Sequence, residues 1–124
     1  VNVITTARRE IVDLLVAAGI SAYGYTPATL VPPIVVIRPD SEWIIPNRVG
    51  TKLAAKIGFR AECIVNVVDS ASALDALEDL VGRVLAAIPS GILITSVDAP
   101  SIGGTGSQGD TLQADILIAA QIQE

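Results

Sequence analysis

Gly104, Gly106 and Gly109 stand at the spacing G-x-G-x-x-G. In dinucleotide-binding folds that spacing lets a backbone close around a pyrophosphate at a helix N-terminus. The chemistry needs a strand before the glycines and a helix after them. Here Leu112 to Ile122 follows with the alternation of a strand, and Asp110 puts a carboxylate where the phosphate would sit. The stretch Pro100–Asp110 therefore reads as a mobile hairpin loop. Cys63, the one cysteine, lies in the middle of an alternating apolar run, and the chain has no histidine to activate it. It reads as a small buried hydrophobe, and no internal disulfide can form. Without histidine the usual general base, proton shuttle and commonest metal ligand are all missing. The closest carboxylate pairs are Asp40 with Glu42 and Glu78 with Asp79. A hard cation needs several oxygens converging, which two acids on a solvated helix face do not supply. No catalytic set, cofactor site or metal site is expected.

Trp43-Ile44-Ile45 is the feature least easily assigned to structure alone. Three large apolar residues sit in the stretch Asp40–Leu53, between Pro39-Asp40-Ser41-Glu42 and Pro46-Asn47-Arg48. One reading folds this loop back over the sheet to close the core. The other makes Trp43 the anchor of a protein–protein contact, with Arg48 and Lys52 lending basic character suited to an acidic neighbour. Trp43, Ile44, Ile45, Arg48 and Lys52 are thus the candidate interface.

Composition points the same way. Apolar residues make up 51% of the 124 residues and charged residues only 17%, where about 25% charged is typical. Apolar area in such excess suits contact with other subunits. Eight Lys and Arg against thirteen Asp and Glu give a net charge of −5, a balance that repels a phosphate backbone. Arg8-Arg9 resembles a twin-arginine export start, but Glu10 and Asp13 interrupt any apolar run behind it, so no signal is expected there. The charge-free stretch between Asp13 and Arg38 is broken by Gly19, Gly24, Pro27, Pro32 and Pro33, so it does not offer the ~20 continuous apolar residues of a membrane span.

The elements that must position these residues follow from periodicity. Ile4, Ala7, Ile11, Leu14, Leu15 and Ala18 predict a helix stopped by Gly19, followed by an extended proline-marked connector over 20–33. Ile34–Arg38 predicts a short strand closed by Pro39. Ala55, Ile57, Phe59, Ala61, Cys63, Val65 and Val67 alternate with Lys56, Gly58, Arg60, Glu62, Asn66 and Val68, Ile64 being the exception, and predict a long half-buried strand. Leu74, Leu77, Leu80, Val81, Val84, Leu85 and Ile88 form one apolar helical face, with Ser72 and Asp75 in a capping-box relation. Ile92–Val97 and Leu112–Ile122 predict two more strands. The order α-β-β-α-β-β implies a single α+β domain over 1–124, in two layers: a mostly antiparallel four-stranded sheet with two helices on one face. Arg60, Glu62, Gln113 and Asp115 fall on the other face, which is solvated or meets a partner.

The run Gly19-Ile20-Ser21-Ala22-Tyr23-Gly24-Tyr25-Thr26-Pro27, continued by Leu30-Val31-Pro32-Pro33, Val36 and Pro39-Asp40, resembles the opening of tail terminator (tail completion) proteins of long-tailed bacteriophages, in the form common in phages of actinobacteria. The order of elements is similar throughout; the Trp43-Ile44-Ile45 loop is a departure that matches no motif of that family. The resemblance implies a virion structural protein, assembled in the host cytoplasm, without catalytic residues. It implies a closed ring, usually a hexamer, that caps the tail tube, ends its polymerisation and joins the tail to the head-side connector (stopper) protein. DNA would pass through without specific binding, and Glu62, Asp98, Asp110 and Asp115 are candidate channel-facing acids. The alternatives are another neck component, such as a stopper or adaptor, and an oligomeric small-ligand-binding regulatory domain.

Overall fold

A computed structural model of the chain describes residues 3–25, 33–46, 54–66, 70–104 and 110–123. Helix α1 spans Val3–Ala17 and buries Ala7, Ile11 and Leu15, whose four-residue spacing stacks them in one stripe. It stops as glycine dictates. Gly19 takes a φ of +83°, its N–H donates to the Val16 carbonyl at 3.0 Å, and the Ile20 N–H donates to the Leu15 carbonyl at 3.0 Å. This is a Schellman cap, closed by the buried pair Leu15 and Ile20. Helix α2, Ser70–Ala87, buries Ala73, Leu77, Leu80 and Val84. It starts two residues ahead of Ser72, so Ser72 and Asp75 lie inside it. Arg83 of α2 donates through Nη2 to the Gly19 carbonyl at 3.1 Å, tying the second helix to the end of the first.

Strands β1 (Ala22–Tyr23), β2 (Ile34–Pro46), β3 (Ala54–Asn66), β4 (Leu93–Val97), β5 (Ser101–Gly104) and β6 (Asp110–Gln123) form one sheet. Its order is β1-β2-β3-β6-β4, with β5 also paired to β6. Only β1–β2 is parallel; β2–β3, β3–β6, β4–β6 and β5–β6 are antiparallel. The register Ala55↔Ile122, Ile57↔Ala120, Phe59↔Ile118, Ala61↔Ile116 and Cys63↔Ala114 lines up the apolar alternations of β3 and β6 on one face. Those residues, Ala120 apart, join Ala7, Ile11 and Leu15 of α1 and Leu77, Leu80 and Val84 of α2 in a single core. The molecule is therefore a two-layer α+β domain with both helices on one face of the sheet.

The sheet has six strands, not four. Two residues of the connector, Ala22 and Tyr23, pair with Val35 and Val36, a bridge too short to show a period. Ser101–Gly104 pairs with residues 110–113 of β6, where glycine content suggests only loop. The larger difference is β2, which does not stop at Pro39 but runs to Pro46. Proline is tolerated there because, beyond Val36, no described strand pairs with the outer side of β2. Trp43-Ile44-Ile45 thus belongs to a strand. Ile64, the apolar exception on the polar side of β3, lies opposite Ile34 and is buried with it and Val36 in a second, smaller cluster on the helix-free face.

Candidate functional site

Register decides what the helix-free face carries. Arg38 of β2 lies directly opposite Arg60 of β3, and Glu62 of β3 lies directly opposite Asp115 of β6. Like charges placed directly across a ladder repel, and diagonal neighbours are still within reach of long side chains. The ion pairs accordingly run on the diagonals: Arg38 to Glu62 at 3.3 Å and Arg60 to Asp115 at 2.6 Å. Gln113 sits between the facing acids and its Nε2 donates to both, at 3.3 Å to Glu62 and 3.0 Å to Asp115. Arg60 is the hub. It also pairs with Asp40 at 3.1 Å and with Asp98, the residue just after β4, at 3.6 Å. Its hydrogen bonds to Asp115 and Asp40 raise its pKa further above the ordinary arginine value.

Asp40 reaches Arg60 because of an irregularity in β2. Pro39 pairs with Phe59 and Ile44 with Ile57, so residues 40–43 face the single residue Gly58. This bulge bends the strand; the Ser41 N–H donates to Asp40 Oδ1 at 2.8 Å, and the backbone of Glu42 is brought over Gly58. A Cβ on Gly58 would run into the Glu42 carbonyl oxygen, so glycine is required by close backbone approach.

On the helix side the same bulge delivers Trp43. The indole is 45% exposed and lines a cleft of about 220 Å³ with Ile4, Thr5, Arg8, Pro39 and Phe59. Ile44 packs partly buried against the core, while Ile45 remains exposed. Ile44 therefore helps to close the core, as the first reading expects, while Trp43 and Ile45 keep exposed apolar surface. Arg48 and Lys52 lie outside the described residues, as do 105–109 of the glycine pattern and residues 26–32 of the connector.

Of the four candidate channel acids, Glu62, Asp98 and Asp115 gather in the Arg38–Arg60 network. Asp110 opens β6 at the far end of that strand, opposite Gly104. Asp40 belongs to the network as well, and Arg60 holds it. Alternation puts residues 60, 62, 113 and 115 on one face, but only the register tells which of them meet. With four carboxylates to two guanidiniums, the plate is net negative. Glu78 and Asp79 are exposed on α2. Among the described residues no group of His, Cys, Asp or Glu is arranged to hold a metal ion, and no helix is long and apolar enough to cross a membrane.

Cys63 is fully buried on the core face. Burial, and secondarily the charge of Asp115, push its thiol up to about 12. An unfolded cysteine ionises near ~8.5, so from there to about 12 the unfolded chain has lost a proton that the native thiol keeps. Stability should therefore fall as pH rises through that window, with a Cys63 contribution of up to ~1.4 kcal/mol per pH unit. Cys63→Ala should remove that part of the slope. Urea titrations of both proteins at pH 8 and pH 10 measure it, and equal slopes would refute it.

No protein-family model and no curated protein matches this chain.

Proposed function

We propose that this chain is a structural, non-catalytic and cofactor-free virion subunit: a tail terminator whose closed ring, a hexamer, caps the tail tube, ends its polymerisation and meets the head-side connector. The observation that carries this reading is the far edge of the sheet. Strand β4 has no charged residue over Leu93–Val97, and Leu93 is 60% exposed and Ile102 of β5 71% exposed. Soluble monomers usually blunt such an edge with charge, proline or cover. An edge whose two strands carry no charge, with Asp98 and Pro100 only in the link between them, suits a subunit that is covered when assembled. Head-to-tail contacts that close make a ring. The net-negative plate around Arg60 suits a channel that DNA traverses without being held, and the tyrosine- and proline-marked connector carries the resemblance to terminators.

The test is assembly. Purified protein viewed by electron microscopy, alone and with polymerising tail-tube subunit, should give rings and tubes capped at one end. A protein that stays monomeric and leaves tube growth unaltered would overturn the reading, and binding to the head-side connector alone would move it to a neighbouring neck position. Trp43→Ala should weaken attachment while lowering the stability of the isolated subunit by only about 1–2 kcal/mol, less than the ~3–5 of a fully buried aromatic. Urea denaturation of the variant separates the two.

A further inference from the structure

Arg8 stands between two clefts on the outer flank of α1. One, of about 330 Å³, is lined by Arg8, Arg9, Val12, Asp13, Gly24 and Tyr25; the other is the Trp43 cleft. Among the described residues neither Arg8 nor Arg9 makes a hydrogen bond or ion pair, in contrast to Arg38, Arg60 and Arg83. An acidic molecule thus presents two unpaired guanidiniums beside two exposed aromatic residues, Tyr25 and Trp43. Arginine and aromatic side chains around a concave surface are what interface anchors are made of.

The complementary chemistry lies on the same chain. At about 100° per residue, Leu74 and Glu78 fall on the side of α2 roughly opposite Arg83, the residue whose guanidinium reaches the end of α1. That flank therefore points away from α1 and cannot reach its own Arg8. Leu74 is 41% exposed although the helical period assigns it to the inner face. Glu78, one turn on, and Asp75 are exposed beside it and make no ion pair among the described residues.

We propose that the Arg8 clefts of one subunit receive the Leu74–Glu78 flank of α2 from a second copy of this chain, Glu78 pairing with Arg8 and Leu74 lying against Trp43. This deepens the ring reading and rests on it. The flank points away from α1 and its clefts, so a single twofold contact does not join both halves of one subunit to both halves of another. The contact is heterologous: each subunit offers one half to each of two neighbours, and the chain of contacts closes or runs on.

The test uses charge reversal on the full chain. Sedimentation velocity should show Arg8→Glu and Glu78→Arg each weakening self-association roughly tenfold or more. An equimolar mixture of the two should recover it, because opposite charges then meet at every contact. The reversed cleft of one variant receives the reversed flank of the other, and the two unaltered halves pair as in the parent. Trp43, the only tryptophan, should shift its emission to shorter wavelength as the wild-type protein associates, and Glu78→Arg should abolish that shift. Glu78 is exposed, so its reversal tests the contact even if Arg8→Glu disturbs α1; circular dichroism monitors both. Rings that persist in both single variants, or a mixture that stays dissociated, would overturn the contact and leave the ring reading standing. A wild-type protein that neither self-associates nor binds tail tubes would overturn both.

Discussion

Gly58→Ala should destabilise the protein by about 2–3 kcal/mol and lower its Tm by roughly 10 °C, although alanine is otherwise the better strand residue. The opposing effects can be weighed. Replacing glycine by alanine at a compatible site reduces the freedom of the unfolded chain and stabilises by about 0.4–1 kcal/mol. At Gly58 the new methyl meets the carbonyl oxygen of Glu42, a backbone atom with no rotamer to escape into. Either β2 lifts from β3 along the bulge or the ladder between Pro39↔Phe59 and Ile44↔Ile57 is distorted, and overpacking of that kind costs more than the entropy returns. The same change at Gly82 has the opposite sign. Nothing lies within 4 Å of a Cβ there, the site is in the middle of α2, and alanine should stabilise by about 0.5–1 kcal/mol. Thermal and urea unfolding of the two variants side by side provides the measurement. Equal shifts of the same sign would mean that the bulge does not hold Glu42 over Gly58.

These two glycines also mark what a sequence discloses. Gly82 interrupts a helical period and can be judged from its neighbours. Gly58 sits in a clean strand alternation, and nothing beside it says that four residues of another strand will loop over it. The alternations of residues 54–66 and 112–122 and the stripes of Ala7, Ile11, Leu15 and Leu77, Leu80, Val84 are local properties, and they place both helices and the two central strands correctly. What was illegible is what register and edges decide. Pro39 reads as the end of a strand, yet it is harmless where β2 has no outer neighbour. Ala22–Tyr23 exists as a strand only because Val35 and Val36 accept it. Arg60 reads as one polar residue among several, because its meeting with Asp40, Asp98 and Asp115 requires three separate elements to arrive in register.

That convergence sets the second large effect. Arg60→Met should destabilise the domain by about 2–3 kcal/mol near neutral pH. The methionine keeps most of the aliphatic length, so packing loss is small and the change isolates the charge. What remains is Asp40 and Asp115, whose side chains are only 17% and 14% exposed, facing each other and Glu62 with one fewer cation among them. Exposed ion pairs contribute about 0–1 kcal/mol, so Asp98, the half-exposed third partner at 3.6 Å, should matter little, and Asp98→Asn should be nearly neutral. A double-mutant cycle separates charge from shape. In an Asp115→Asn background less negative charge is left behind when the guanidinium is removed, so Arg60→Met should cost clearly less there than in the parent. Urea titrations of the four proteins measure it. A cost that is the same in both backgrounds would assign the loss to packing and would mean that the Arg60–Asp115 pair contributes no net stability.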